Sequence, residues 1–324
     1  MSAAPPPSGR QVRLAAHDQE LIAVEVGGGL RAYRAAGRDV LDPYPEDRMA
    51  DGGRGQLLAP WPNRLAGGKF QWRGRVLQTA LTEVEAGNAI HGLVRWANWT
   101  VPDSTPQPWG PQTPPDTTTV TYCLHPQPGW PWTVDLRVTY RLVAEQGLEV
   151  RTWVTNRSAE ECPIGLGWHP YLAALDDVVD GCRLTVPAAT AYRADERGIP
   201  QERVPVEGTD LDFRAGRVIG PTRLDVAFTD LHRDRDGRAR VRLEGSRAAP
   251  VELWMDGHYT HLMVYTGDTL SDAGRRRRGL AVEPMTAAAD MLNNHDGLKL
   301  LPSGETFEAA WGINPSARAE PGRG

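Results

Sequence analysis

Residues 134–155 read VDLRVTYRLVAEQGLEVRTWVT, and the pattern of this stretch predicts the fold class. Apolar side chains alternate with polar ones from Val134 to Leu142, a period of two that indicates a half-buried strand. After a turn at residues 144–147, the alternation resumes from Leu148 to Val154. Two such runs joined by a short turn that contains glycine predict an antiparallel hairpin.

Similar short units recur along the chain and favour an all-β protein. Lys69–Trp72 and Arg75–Gln78 flank an Arg-Gly pair and predict a second hairpin. Other short β-rich segments are Thr118–Leu124, Ala239–Leu243, Val251–Met255, Leu262–Tyr265 and Leu280–Glu283. The 34 glycines and 27 prolines disfavour long helices, and the best helix signal, Ala287–Leu292, is short. We therefore predict a large antiparallel β-sandwich with few short helices.

The ends of the chain differ in composition from its middle. Residues 1–19 contain three consecutive prolines and residues 316–324 lack large apolar side chains, so both are predicted to be flexible tails. The proline-rich stretch 102–116 is interpreted as a long surface loop, because strand patterns continue on both sides of it. Residues 20–315 are thus predicted to form a single domain.

Composition and charge argue against several classes of function. No apolar run approaches eighteen residues, which argues against a membrane span. The formal net charge of −5 argues against a broad nucleic-acid surface. No glycine-rich phosphate loop of standard spacing is present. For the basic run Arg275–Arg278, a solvated loop is favoured over a phosphate or anion site.

The cysteines and the N-terminal sequence favour a cytoplasmic location. The three cysteines lie far apart and show no metal-binding spacing, which suggests reduced thiols. Residues 1–20 contain no apolar segment of a secretory signal. Only Lys69 and Lys299 are available for a Schiff-base mechanism, and both lie in polar, turn-like contexts.

Two residues stand out as candidates for acid–base chemistry. His169 lies in Gly-Leu-Gly-Trp-His-Pro-Tyr (165–171), a rigid strand end with aromatic neighbours; a general acid or base and a structural histidine are equally compatible. Glu283 lies between Val282 and Pro284 at the end of an apolar segment, where a carboxylate is costly unless it is paired or used. A salt bridge to a nearby arginine is the alternative for Glu283.

Other polar residues carry weaker signals. His258 and His261 suggest a metal site, but positions three apart in a strand face opposite sides, so metal binding is disfavoured. Arg64 follows Asn63 in a turn and could reach ligand hydroxyls, although a surface arginine is the simpler interpretation. His91 in a turn and Asp225 in an apolar context are also individually weak.

Together, these short motifs follow the order and rough spacing of one family. They are Asn63-Arg64, His91-Gly92, His169-Pro170-Tyr171, Asp225-x-x-Phe228 and Glu283. The chain resembles the aldose 1-epimerase (galactose mutarotase) family over about residues 20–313, most specifically in His-Pro-Tyr and in Val-Glu-Pro-Met-Thr (282–286). The resemblance implies a sandwich with a sugar cleft and interconversion of α and β anomers without a cofactor or metal.

The resemblance also implies roles for individual residues. Glu283 would be the general base and His169 the general acid, while Arg64, His91 and Asp225 would bind sugar hydroxyls. Since opposite charges stabilise each other, we expect His169 to be protonated and Glu283 ionised near neutral pH. Any of five tryptophans could form a flat wall for the sugar, although core packing is favoured for each one; Trp168 is the preferred candidate beside the acid. The others are Trp61, Trp72, Trp96 and Trp254.

Departures from the family pattern leave the substrate open. The best-known branch has Asn before the acid histidine and two glycines after the first binding histidine, whereas this chain has Trp168 and Gly92-Leu93. We interpret the chain as a divergent bacterial branch. Its substrate could be galactose, glucose, another aldohexose or a charged derivative, for which Arg64, Arg95 or the run 275–278 could supply a positive clamp.

The sequence is also compatible with two other functions. A non-catalytic carbohydrate-binding sandwich would keep Arg64, Asp225 and the aromatics but would not need Glu283 and His169 together. A polysaccharide hydrolase or lyase on a similar fold would use two carboxylates, for which Asp225 and Glu283 are available, and would leave His169 unexplained. The expected partner is a small-molecule aldose, with a monomer or homodimer as the assembly.

Overall fold

The computed structural model describes residues 5–101, 116–246 and 248–316, and strands dominate these residues. The first thirteen strands are β1 (Gln11–Ala16), β2 (Gln19–Val24), β3 (Leu30–Ala35), β4 (Arg38–Asp39), β5 (Leu57–Leu58), β6 (Arg64–Ala66), β7 (Lys69–Trp72), β8 (Arg75–Gln78), β9 (Asn88–Ile90), β10 (Thr117–Leu124), β11 (Val134–Val143), β12 (Gly147–Asn156) and β13 (Cys162–Ile164). The next thirteen are β14 (Gly167–Trp168), β15 (Tyr171–Ala173), β16 (Arg183–Thr185), β17 (Ala188–Ala194), β18 (Pro200–Pro205), β19 (Arg217–Val218), β20 (Asp225–Leu231), β21 (Ala239–Glu244), β22 (Val251–Met255), β23 (His261–Tyr265), β24 (Gly279–Met285), β25 (Lys299–Leu301) and β26 (Thr306–Asn314). A single-turn helix, α1 (Met291–Asn294), and two 3-10 turns, Val179–Gly181 and Ala273–Arg275, complete the described elements.

Two large antiparallel sheets form the sandwich and confirm the predicted fold class. The first sheet has the order β10-β11-β12-β26-β22-β21-β16-β19. The second has the order β18-β17-β20-β23-β24-β14-β5, and β15 also pairs with β24. A smaller sheet of β1 to β4 and three two-stranded pairs (β13-β25, β6-β9 and β7-β8) surround them.

The stretch that predicts the fold class forms two neighbouring inner strands of the first sheet, β11 and β12. β11 pairs with β12 through the register Val138↔Thr152, and β12 continues to β26. Along β11 the apolar residues are buried and the intervening polar residues are more exposed, so the period of two is confirmed. The predicted hairpin over residues 69–78 is also confirmed, as the pair β7-β8.

The core lies between the two sheets and combines many aliphatic side chains with a group of large aromatic ones. The ring of Trp168 in the second sheet lies 5.7 Å from Trp311 and 6.0 Å from Tyr140 in the first. Its indole Nε1 donates to Thr152 Oγ1 at 3.1 Å. Because Trp168 has no exposed surface, its predicted role as a sugar platform is wrong: it joins the sheets instead.

The structure differs from the sequence-based prediction at two further places. Gln11–Ala16, predicted to lie in a flexible tail, pairs with Gln19–Val24 residue by residue, so the folded unit begins before residue 20. The predicted helix at 287–292 is displaced to Met291–Asn294, because Asp290 has a positive φ of 60° and interrupts any earlier helical turn. The proline-rich stretch, apart from Asp116, and the C-terminal tail beyond residue 316 lie outside the described residues. No helix within the described ranges is long and apolar enough to cross a membrane.

Candidate active site

The candidate site lies on the face of the second sheet that points away from the sandwich core. Met263 is opposite Glu283 in the β23-β24 pair, and Asp225 is opposite Tyr265 in the β20-β23 pair. Since side chains alternate between faces, these residues share one face, while intervening residues such as Val282 pack in the core. The alternation of three strands therefore places a carboxylate on the floor of a surface cavity.

This cavity has a volume of about 450 Å³, within the range of small-molecule sites. Its lining residues come from five loops and five strands: Ala50, Gly52, Gly53, Asn63, Arg64, Ile90, His91, Arg95, Trp96, His169, Asp225, Met263, Tyr265, Thr269, Leu270, Ser271 and Glu283. The five polar residues singled out by motif all lie among them. The fold thus brings together side chains that are up to 219 positions apart in sequence (Arg64 to Glu283).

His169 and Glu283 form the centre of the cavity. His169 Nε2 lies 3.2 Å from Glu283 Oε1, and both side chains are almost completely buried. The His169 backbone is held on both sides, because its N–H donates to Gln56 O at 3.1 Å and its carbonyl accepts from the Gly55 N–H at 2.8 Å. His169 Nδ1 and Glu283 Oε2 have no hydrogen-bond partner within the part of the chain that the structure describes. Each member of the pair therefore keeps an unused polar atom.

Burial sets the protonation of this pair and reverses the expectation of an ion pair. Burial, with a smaller contribution from Arg54, lowers the pKa of His169 to about 3. Burial also raises the pKa of Glu283 well above its ordinary value, with nearby Asp225 acting in the same direction and Arg64 opposing it. In the ligand-free cavity the neutral forms are favoured, because desolvation outweighs the attraction between the two charges.

His91 borders the pair and shares its desolvated environment. Its ring meets the ring of His169 edge to face, with centroids 5.3 Å apart. The turn that presents His91 needs a close approach of two backbones: a Cβ on Gly92 would lie 1.9 Å from Ala59 O. Burial lowers the pKa of His91 well below its ordinary value, and the charge of a protonated His169 acts in the same direction. A neutral His91 can both donate and accept one hydrogen bond.

Arg64 reaches the cavity from the start of β6. Its guanidinium already contacts the carboxylate of Glu83, with Nε and Nη2 both 3.0 Å from carboxylate oxygens. Asp225 lies across the cavity at the start of β20 and is exposed to solvent there. The cavity therefore combines a fixed cation with an exposed carboxylate, and both suit hydroxyl groups.

The aromatic wall of the cavity is Trp96, which replaces Trp168 in that position. Trp96 is 54% exposed, and the guanidinium carbon of Arg95 lies 3.8 Å from its ring centroid. Arg95 itself lines the cavity, and burial lowers its pKa to about 10. From the sequence, Trp96 is only one of five candidate tryptophans and Arg95 only one of several possible positive clamps. Neither residue belongs to a motif, and only its position beside the cavity distinguishes it.

The basic run at residues 275–278 does not line this cavity, and its members have local partners. Arg277 contacts Asp180 at 2.6 Å and Asp268 at 2.9 Å, and Arg275 contacts Asp42 at 3.1 Å. The run was predicted to be a solvated loop, but at least Arg275 and Arg277 form ion pairs. In residues 5–101, 116–246 and 248–316, no group of three or more His, Cys, Asp or Glu side chains is arranged to hold a metal ion.

Comparison with known proteins agrees with this fold. The sequence model of the aldose 1-epimerase family matches residues 10–313. The chain is 32% identical to the uncharacterized protein YihR of Escherichia coli K12, over 94% of this chain and 93% of that protein. Among solved structures, a putative aldose 1-epimerase from Escherichia coli K12 superposes with a TM-score of 0.77 at 20% identity, covering 94% of this chain and 98% of that one.

A second solved structure, galactose 1-epimerase from Lactobacillus acidophilus, superposes with a TM-score of 0.74 at 18% identity and covers 95% of each chain. At these identities the structural matches establish the fold alone. The family match spans nearly the whole chain, and the site residues predicted by motif fall within the matched range. The chain belongs to the aldose 1-epimerase family.

Proposed function

We propose that this protein is an aldose 1-epimerase that interconverts the α and β anomers of a hexose by acid–base opening and closure of the ring. One observation carries the proposal: His169 Nε2 and Glu283 Oε1 lie 3.2 Å apart in a cavity of sugar-compatible size. Anomerisation requires one group to remove a proton and another to supply one within the same O–C–O unit. A carboxyl and an imidazole in direct contact meet this requirement.

The proton balance of the reaction follows from the pair. Glu283 accepts the proton of the C1 hydroxyl while His169 delivers a proton to the ring oxygen, and the bond between C1 and the ring oxygen breaks. The open-chain aldehyde rotates about C1–C2, and the groups exchange roles as the ring closes on the other face of the aldehyde. The neutral pair becomes the active ion pair when one proton moves from Glu283 to His169, and sugar hydroxyls that donate to the carboxylate favour that state.

The remaining cavity residues are assigned to substrate binding. Arg64 donates to hydroxyl oxygens, Asp225 accepts from hydroxyl protons, and His91 can do either. The exposed face of Trp96 provides an apolar surface for the C–H face of the sugar. A monomer or homodimer located in the cytoplasm, without nucleic-acid or membrane partners, remains part of the proposal.

Anomer-exchange NMR tests the proposed reaction directly. Freshly dissolved α anomers of a panel of neutral, phosphorylated and sulfonated aldoses are followed with wild-type protein and with His169→Gln. We expect at least one member of the panel to equilibrate faster than its spontaneous rate with wild type, and this acceleration to fall about 10²-fold or more in the variant. Equal rates with and without protein across the panel would contradict the proposal.

The same panel separates the two alternatives. A binding module would shift the sugar resonances without any change in the exchange rate. A hydrolase or lyase would release reducing ends or an ultraviolet-absorbing unsaturated product from oligosaccharides or acidic polysaccharides. The contact of His169 with Glu283 favours the epimerase over a two-carboxylate hydrolase, since that contact gives the imidazole a function in the reaction.

A further inference from the structure

The glycine-rich segment at residues 52–55 encloses His169. Gly53 has a φ of +74°, and a Cβ at this position would lie 2.7 Å from His169 Cδ2, so no other residue fits without displacing the imidazole. Gly55 donates its N–H to the carbonyl of His169 at 2.8 Å. The position of this segment therefore affects both the ring and the backbone of His169.

Arg54 anchors that segment from a buried position outside the cavity lining. Its side chain is 2% exposed, its Nε lies 2.9 Å from Asp51 Oδ1, and its Nη1 lies 2.6 Å from Asp42 Oδ2. Arg275 supplies a second cation to the same pair of carboxylates, 3.1 Å from Asp42 and 3.8 Å from Asp51. Arg54 does not line the cavity, so it has no place in substrate binding.

The ring of Tyr171 connects Arg54 to the imidazole. The guanidinium carbon of Arg54 lies 4.0 Å from the Tyr171 ring centroid, a cation–π distance. The Tyr171 ring stacks on His169 with centroids 5.0 Å apart and an angle of 11° between the planes. The Tyr171 hydroxyl also donates to Gly52 O at 2.9 Å, which ties the ring to the same glycine segment.

We propose that Arg54 is a positioning residue for His169, which it holds through the Tyr171 ring and the Gly52–Gly55 segment so that Nε2 stays directed at Glu283. The expected effect on the rate rests on the proposed function, whereas the positioning of the His169 ring does not depend on it. Among the described residues Nδ1 has no hydrogen-bond partner, so the Tyr171 stack and the Gly53 backbone hold the ring plane together with the contacts to His91 and Glu283.

The positive charge of Arg54 also affects the protonation of His169. Burial is the largest cause of the lowered pKa of His169, and the positive charge of Arg54 is the next. The other charges that act on this ring are Arg95, which also lowers the pKa, and Asp51, which raises it; His91 and Glu283 contact the ring directly. Arg54 therefore holds the imidazole and also adds to the effect of burial, which favours its neutral form before substrate binds.

The test compares Arg54→Met with Arg277→Met. Arg277 is a matched control, because it is also a largely buried arginine that contacts two aspartates, Asp180 and Asp268, and it lies outside the contacts of His169. NMR of histidine ring carbons, with the His169 signal assigned from His169→Gln, reports the titration midpoint and ring environment without any assay of activity. Chemical denaturation and anomer-exchange kinetics are measured on the same samples.

We expect both variants to lose stability but only Arg54→Met to raise the titration midpoint of His169 and shift its ring signals. In Arg54→Met, we expect kcat to fall roughly 10- to 100-fold and KM to change less than about twofold. The reason is that the substitution misaligns the imidazole of His169 and leaves the sugar-binding residues in place. Arg277→Met keeps the wild-type kcat. Arg54→Lys, which restores the charge without the planar fork, recovers the midpoint more fully than kcat.

A second variant covers the case in which Arg54→Met does not fold. Tyr171→Leu leaves the aspartate–arginine network intact but removes the ring between it and His169, so we expect the same ring-signal shift and loss of kcat. An unchanged His169 titration and ring signal in Arg54→Met, or in Tyr171→Leu if that is the folded variant, overturns the proposal. Shifted NMR signals in a protein without epimerase activity would instead support the positioning role and contradict the proposed reaction.

Discussion

Two histidines of the second sheet are equally buried but differ in how completely their ring nitrogens are bonded. His261, at the start of β23, has Nε2 3.0 Å from the Tyr192 hydroxyl and 3.3 Å from Asp296 Oδ1, and its Nδ1 lies 2.9 Å from Thr260 Oγ1. Among the described residues, the ring nitrogens of His169 have one polar contact, from Nε2 to Glu283, and Nδ1 has no hydrogen-bond partner.

The carboxyl partners differ in the same way. Asp296 receives hydrogen bonds from His261, Tyr192 and Arg203, and these hold its pKa below the ordinary value, with His261 as the largest cause. Burial drives the pKa of Glu283 in the opposite direction. A buried polar group left unbonded costs free energy that folding does not recover, so its presence beside a cavity points to function rather than to stability. Among the described residues, the cluster at His261 is bonded as a structural site is, whereas the pair at His169 keeps the unbonded polar atoms that the proposed reaction would use.

Glu283→Gln should produce the largest effect and test the reactive side of this comparison. We expect an anomer-exchange rate lower by roughly 10²- to 10⁴-fold, the range of general acid–base catalysis, because the amide cannot accept the proton. Stability at pH 7 should stay equal or rise by about 1 kcal/mol, since a neutral amide has no charge to desolvate. Exchange NMR and urea denaturation provide the two values. A loss of stability without loss of rate would place Glu283 with the structural residues.

His261→Gln should show the reverse pattern. Removing the imidazole leaves the Asp296 carboxylate with fewer donors, so we expect a loss of about 2–4 kcal/mol in the free energy of unfolding. The exchange rate per folded molecule should remain within about twofold of wild type. His169→Gln is the matched variant, with the rate lost and stability kept. If His261→Gln lowered the rate as much as His169→Gln, the number of hydrogen bonds to the ring nitrogens would not distinguish a structural histidine from a reactive one.

The pH dependence of stability should report the neutral state of His169. Because the folded pKa of His169 is about 3 and the unfolded value is about 6.5, the unfolded chain binds the extra proton between these values. Stability contributed by this site is therefore present above pH 6.5 and is lost as the pH falls, by about 2 kcal/mol at pH 5. The difference in unfolding free energy between wild type and His169→Gln, measured from pH 7.5 to 5, should show this slope. A flat difference would mean that His169 is not held neutral.

Trp168→Phe should have the smallest effect and tests the correction from sugar platform to core residue. The variant loses the hydrogen bond to Thr152 and part of the packing against Trp311, which corresponds to about 1–2 kcal/mol of stability. Exchange kinetics should be unchanged within about twofold. Trp96→Ala is the contrasting variant, since it removes the exposed ring and should raise KM while stability stays the same. A higher KM in Trp168→Phe would return this residue to the site.

The strands were the most predictable part of the molecule. The alternation in residues 134–154 corresponds to β11 and β12 in the structure. Successive side chains of a strand point to opposite faces, so the order of apolar and polar residues alone predicts which face is buried. The site was predictable to the extent that motifs named its polar residues, and those five line one cavity. Trp96 was predicted only as one of five candidate tryptophans and Arg54 was not predicted, because only their tertiary contacts distinguish them.

The sequence by itself determined the antiparallel sandwich and the family, and it named His169 and Glu283 as the proposed acid–base pair, since these depend on local periodicity and on short motifs. Only the tertiary structure decided which tryptophan faces the cavity, that residues 11–16 belong to the folded sheet, and that His169 and Glu283 favour their neutral forms. The physical reason is that burial and pairing depend on segments far apart in the chain. A carboxyl or an imidazole has its pKa set by what surrounds it, and residue order alone does not specify those surroundings.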